Sequence, residues 1–218
     1  MADCLHRSRM APRVLGALLL LSPLLLPAAA PARAAALAST PKATLQHLNG
    51  EVDKLLRKPV AAGSPAEDAV KKDIKKLAAE LLDYGELAKR ALADNWETLK
   101  PKERTEFVAT LKELIERNYV KQLRTNLNYQ VIYGDEKLDG EEAQVQSTVK
   151  IRTQGKATDA VIEYRMLKTG GRWMVYDVVT DELSLVRNYR SQFQKIIGQQ
   201  GYAGLLAKMK KKLAEDKG

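Results

Sequence analysis

Apolar positions in the first half of the chain recur at spacings of three and four, the period of one face of an α-helix. Leu45, Leu48, Val52, Leu55 and Leu56 make such a stripe and predict a helix over Lys42 to Lys58, ended by Pro59, Gly63 and Pro65. Ser64, Pro65 and Glu67 supply a cap, a first-turn proline and an acidic third residue. The stripe Val70, Ile74, Leu77, Leu81 then carries a second helix from Pro65 to about Leu82. Asp83 can cap a third, from Tyr84 to about Asn95. Pro101 and Glu103 open a fourth, with Phe107, Leu111, Leu114, Ile115, Tyr119 and Leu123 on one side.

The period falls to two after Asn128. Val145, Ser147, Val149 and Ile151 alternate with Gln146, Thr148, Lys150 and Arg152, the pattern of a half-buried strand. The turns Gln154-Gly155-Lys156 and Thr169-Gly170-Gly171 lead into Ala160 to Met166 and Trp173 to Thr180. With Tyr129 to Tyr133 these predict a four-stranded antiparallel meander. In the last strand both alternating sets are apolar, Trp173/Val175/Val179 and Met174/Tyr176/Val178, so both of its faces are expected to be covered. Leu183 to Ile197 and Tyr202 to Leu213 return to helical spacing, separated by Gly198 and Gly201. The fold class is α+β, with N-terminal and C-terminal helices packed on a curved sheet.

The first residues have a different pattern, and it changes the domain picture. Arg7, Arg9 and Arg13 precede the uncharged run Val14 to Leu26, which gives way to the small residues Ala28 to Ala38. That order reads as a cleaved secretory signal peptide over residues 1–38, with cleavage after Ala38 favoured over Ala34 and Ala36. The run is shorter than the ~20 residues of a spanning helix and holds Pro23. Residues 39–218 are then a single exported, periplasmic domain. Its formal net charge falls from +9 to +6, because four arginines and Asp3 leave with the leader.

The sole cysteine, Cys4, lies ahead of the apolar run, where it neither takes a lipid anchor nor serves a disulfide in the exported chain. Lysines interleave with acids, as in Glu67-Asp68-Ala69-Val70-Lys71-Lys72-Asp73. This is a solvated helix face and no nucleic-acid partner is expected.

Catalytic constellations are sparse. Beyond the leader there is one histidine, His47, and no cysteine, so His/Cys metal clusters and a thiol nucleophile are excluded and no metal or cofactor is expected. No G-x-S-x-G, H-E-x-x-H or phosphate-cradling loop occurs, and Gly198 to Gly204 reads as a helix break. Asp177 and Asp181 near a strand end are the remaining carboxylate candidates. A binding protein explains the chain better than an enzyme.

The run Trp173-Met174-Val175-Tyr176-Asp177-Val178, followed by Leu183-Ser184-Leu185-Val186-Arg187-Asn188-Tyr189-Arg190-Ser191-Gln192-Phe193, resembles the signature of the MlaC family of periplasmic phospholipid-shuttle (toluene-tolerance) proteins. Asp83-Tyr84, Leu87-Ala88, Arg90, Leu92, Trp96, Glu103-Arg104, Phe107 and Tyr119 are similar to that family's helical half in order and spacing. Two positions depart from it: Glu182, and Ala93 of Leu92-Ala93, stand where the family usually or often has glycine.

The resemblance implies a carrier that catalyses no reaction. It would take phospholipid acyl chains into an apolar cavity between sheet and helices. It would pass lipid, as a monomer, between an outer-membrane lipoprotein complex and an inner-membrane Mla-type ABC transporter, in keeping outer-membrane lipid asymmetry. The implied lipid-binding walls are Trp96, Phe107, Leu111, Tyr119, Val149, Ile162, Tyr164, Trp173, Val175, Leu183 and Tyr189, with Tyr119 and Leu183 foremost. The same residues equally suit a close-packed core, since periodicity registers burial and not a void. Lys208, Lys210, Lys211 and Lys212 on the last helix suit a solvated face or docking to an anionic surface. The alternatives are a hydrolase or isomerase for a small apolar substrate, using Asp177 or His47 inside the cavity, and a protein-binding adaptor with a filled core.

Overall fold

The structure, a computed structural model, describes residues 40–122, 129–153 and 156–215. The segment 1–38 expected as a leader, Leu123 of the fourth stripe and the expected Gln154-Gly155 turn lie outside the described residues.

The helix starts form for the local reasons their sequences suggest. Helix α1 (Pro41–Leu56) is capped by the Thr40 hydroxyl, which accepts from Ala43 N at 3.1 Å. Helix α2 (Pro65–Leu81) is capped by Ser64, which accepts from Glu67 N, while Glu67 reaches back to accept from Gly63 N at 2.8 Å. Asp83 caps α3 (Tyr84–Leu92) by accepting from Glu86 N at 2.9 Å.

The third helix is shorter than its sequence pattern predicts. Ala93 sits at φ 51°, ψ −127°, which turns the chain into a separate five-residue helix α4 (Asp94–Thr98). Helix α5 (Pro101–Gln122) carries the fourth stripe. The C-terminal pair of predicted helices is one element, α6 (Leu185–Glu215), kinked at Gly201, whose φ of 67° and ψ of 179° are open to glycine alone. Gly198 lies within the helix and breaks nothing.

The sheet has five antiparallel strands in sequential order, not four: β1 (Tyr129–Asp139), β2 (Glu142–Thr153), β3 (Lys156–Thr169), β4 (Arg172–Thr180) and β5 (Leu183–Ser184). Two residues are too few to show an alternation, so β5 was expected as helix. It pairs with Val179 and Thr180 across a two-residue turn in which Asp181 and Glu182 have φ of 49° and 66°. Strand β1 runs well past Tyr133 because a bulge sets Gly134 and Asp135 against the single residue Gln146. A second bulge inserts Tyr176 between the pairs Val175–Met166 and Asp177–Arg165. Such insertions bend strands and add to the curvature of the open sheet.

Two cores result. Helices α3, α5 and α6 bury Leu87, Leu92, Phe107, Leu111, Ile115, Phe193 and Leu205 together, with Phe107 edge-on to Phe193 at 5.5 Å between ring centroids. To do this, helix α6 returns from the sheet edge to pack on α3 and α5. Arg190 donates to Arg90 O at 2.7 Å, the Tyr202 hydroxyl to Glu103 O at 3.0 Å, and Arg117 to Leu213 O at 2.6 Å. The second core joins α1 to the sheet through Leu45, Ala143, Val145, Met166, Trp173 and Val175. Leu82, at the α2–α3 junction, packs against both.

Candidate functional site

A cavity of about 490 Å³ opens between α1 and the far half of the sheet. Its sheet wall is laid down by register. Tyr129 lies opposite Ile151, Val131 opposite Val149, and Tyr133 opposite Ser147, so all six share one face of β1 and β2. Tyr164 of β3, opposite Val145, continues that face. Its α1 wall is Gln46, Asn49, Gly50, Asp53 and Arg57, a polar stripe at helical spacing, with Val52 and Leu56 at its border. Helix α1 has turned its apolar stripe elsewhere: Leu48 packs with Leu77 of α2, and Leu56 with Val70 and Ile74. A Cβ built on Gly50 would meet no atom within 4 Å, so the space continues up to the backbone of α1.

The polar groups in the cavity are ordered along its length. Toward the closed end the Asn49 amide donates to the Tyr133 hydroxyl at 2.7 Å, and that hydroxyl lies 3.5 Å from Leu45 O. Burial pushes the Tyr133 hydroxyl up to about 12, with the Asn49 bond acting against it. Burial also raises Tyr164. Toward the mouth, Asp53 accepts from Arg57 Nε at 2.7 Å and from the Tyr129 hydroxyl at 2.9 Å. The Arg57 hydrogen bond holds the Asp53 carboxyl below its ordinary value against a smaller opposing effect of burial. The Arg57 guanidinium also lies over the Tyr129 ring, 5.8 Å from its centroid.

A volume of about 490 Å³ between an apolar sheet wall and a polar helix stripe suits an amphipathic ligand with a hydrocarbon portion.

The eleven wall residues named from the sequence fall into four places. Val149 and Tyr164 line the cavity. Ile162 is on the same sheet face, opposite Ser147 and Thr180, and Leu183, opposite Thr180, extends that row to the sheet edge, where it is 76 % exposed. Trp96, Phe107, Leu111 and Tyr189 belong to the helical core, while Trp173 and Val175 belong to the sheet core beside it. Tyr119 is carried on α5, and its side chain lies outside the described residues.

Neither carboxylate nor histidine candidate lines the cavity. Asp177 is buried, accepting from the Ser184 hydroxyl at 2.6 Å and from Val186 N at 2.9 Å, so it fastens the sheet to the start of α6. Among the described residues no group of three or more His, Cys, Asp or Glu is placed to hold a metal ion, and no helix is long and apolar enough to cross a membrane. The polar stripe of α1 carried no functional reading in the sequence. Its spacing is legible there, but a stripe of Gln, Asn, Asp and Arg looks the same whether it faces a cavity or bulk water.

Residues 46–211 match the family described as MlaC protein. The chain is 25 % identical over 142 residues to the intermembrane phospholipid transport system binding protein MlaC of Haemophilus influenzae, a match covering 62 % of this chain and 66 % of that protein, just under two thirds of its length. It is also similar in structure to a phospholipid-binding protein from Ralstonia solanacearum solved in complex with a phospholipid. The TM-score is 0.68 and the identity 22 %, over 81 % of this chain and 98 % of that one, a likeness that carries the fold. With the family matched across most of its length and the α+β fold shared, the chain belongs to the MlaC family.

Proposed function

We propose that this protein is a periplasmic phospholipid carrier. The observation that carries the reading is the cavity itself, with an apolar sheet wall of Val131, Val149 and Ile151 facing a polar helix stripe. A hydrocarbon chain lies against the first while glycerol and ester groups meet the second. Each methylene enclosed is worth ~0.8 kcal/mol, which offsets part of the cost of drawing a chain from a bilayer. Membership of the MlaC family and the phospholipid held by the Ralstonia relative support the same cargo.

Val149 and Tyr164 make the contacts within the cavity, and Ile162 and Leu183 extend the same surface. Tyr119, carried on α5, is a further proposed lipid contact. The leader over residues 1–38 delivers one domain, 39–218, to the periplasm, where it works as a freely diffusing monomer without cofactor or chemical step. Its exchange partners are an outer-membrane lipoprotein complex and an inner-membrane Mla-type ABC transporter.

The test is to express the exported chain, extract it with organic solvent and analyse the extract by mass spectrometry. Near-stoichiometric phospholipid is expected. Delipidated protein that refuses labelled phospholipid would sink the reading.

A further inference from the structure

The mouth of the cavity carries a charged group that an acyl-chain tunnel does not need. Arg57 ends α1 at the exposed rim, with half of its side chain in solvent. Its Nε is committed to Asp53 Oδ2 at 2.7 Å, and Asp53 Oδ1 is in turn held by the Tyr129 hydroxyl at 2.9 Å. The guanidinium plane is fixed by these bonds and by the Tyr129 ring beneath it. Among the described residues its two Nη nitrogens make no hydrogen bond. They form the terminal fork, the arrangement that takes two oxygens of one phosphate. Asp53 leaves the pair neutral, so the rim does not attract anions at long range; it offers donors at one point. The apolar wall begins at Tyr129, Val131 and Ile151 immediately inside.

We propose that Arg57, oriented by Asp53 and Tyr129, is the headgroup-reading residue of this carrier: it binds the phosphodiester of the lipid whose acyl chain fills the cavity. This rests on the lipid-carrier reading and adds to it a basis for selecting phospholipids over uncharged lipids of equal chain length. Asp53 is the positioning residue. It spends the Nε donor so that the fork faces outward, and a headgroup ammonium finds its carboxylate close by.

The experiment uses the delipidated exported chain and a fluorescent phospholipid, displaced in turn by unlabelled phosphatidylethanolamine, by diacylglycerol with the same chains, and by inorganic phosphate. The wild-type protein is expected to favour the phospholipid over diacylglycerol by roughly tenfold, the scale of one charge-assisted bidentate contact. Arg57→Gln is expected to abolish that preference, bringing the two affinities within about twofold of each other, and Arg57→Lys to keep part of it. Asp53→Asn is expected to weaken phospholipid binding more than diacylglycerol binding, with thermal melts of all three variants close to wild type.

Inorganic phosphate at millimolar concentration is expected to displace nothing; if it competes fully, the fork serves a free anion and the proposal fails. Equal wild-type affinity for both lipids, or discrimination retained in Arg57→Gln, overturns this proposal while lipid uptake keeps the carrier reading intact. Wild-type protein that takes up neither lipid overturns both.

Discussion

The helical core and the α1–sheet region are built from the same kind of sequence, apolar stripes at regular spacing, yet one is solid and the other holds a cavity. In the helical core every stripe meets another: Phe107 of α5 touches Phe193 and approaches Tyr202 of α6, and Leu87 and Leu92 of α3 are sealed against them. Between α1 and the sheet, two apolar surfaces meet only at Leu45 and its neighbours. Farther along, the sheet's ladder of Val131, Val149 and Ile151 continues, but α1 has given its apolar side to α2 and shows Asn49, Asp53 and Arg57 instead. Polar side chains cannot close on an apolar wall without losing their hydration, so a space persists. The cavity follows from a helix that offers its apolar stripe to α2 and its polar stripe to the sheet.

Substitutions in each region put this contrast to the test. Phe107→Ala removes a side chain with no exposed surface from the solid core, and is expected to cost about 3–5 kcal/mol in urea unfolding. A loss under 1 kcal/mol would mean that the helical core is loosely packed as well. Ala93→Gly relieves a backbone conformation suited to glycine, and is expected to raise stability by about 1 kcal/mol after allowing for the freer unfolded chain. A drop in melting temperature would contradict that strain.

On the cavity side, Tyr133 supplies a pH test. Its folded pKa of about 12 lies above the ordinary 10.0, so the neutral form is favoured on folding. That stabilisation is whole below pH 10 and is lost as pH rises through 12. About 1 kcal/mol is expected once partial exposure is allowed for. Tyr133→Phe should remove this portion of the alkaline loss, leaving that of the raised Tyr84 in the helical core; an unchanged pH profile would place the loss elsewhere.

Glu182→Gly, at the second positive-φ residue of the β4–β5 turn, is expected to add about 0.5 kcal/mol, read as a melting shift of a degree or two. Val149→Ala, which enlarges an existing space and creates no new void, is expected to cost only about 0.5 kcal/mol. A cost near that of Phe107→Ala would show the cavity wall to be packed after all.

Much of the fold was legible because local chemistry wrote it. Ser64 and Asp83 sit at helix starts and cap them, and the Val145 to Ile151 alternation marks β2. What was not legible had no local signature. Ala93 is a good helix former, and only tertiary packing holds it at positive φ. Asp135, Glu136 and Lys137 show no alternation, yet β1 continues through them beyond the bulge. The cavity was least visible of all, because period does not say which stripe a helix offers to which neighbour.

The residues that carry the family resemblance turn out to be largely structural. Arg90 lies over the Tyr176 ring at 3.8 Å and bridges Glu86 and Glu142, each at 2.7 Å, while Arg190 grips the Arg90 carbonyl. Asp177 ties β4 to α6. Family recognition therefore read the scaffold, and the cavity wall lay in residues such as Asn49, Asp53 and Tyr129 that formed no part of it.

The long return of α6 has a consequence for the order in which the molecule can fold. The bonds that close the helical core, from Arg190 to Arg90, Tyr202 to Glu103 and Arg117 to Leu213, join residues 100, 99 and 96 apart in sequence. A chain emerging residue by residue can pair α1 with α2 and build hairpins early, but Phe107 and Leu111 stay unsealed until Phe193 and Leu205 arrive. Loop closure on that scale makes folding slow and ties it to the last segment. A chain cut short before Leu205 would lose the seal on its largest core, and would expose apolar surface that the finished protein buries.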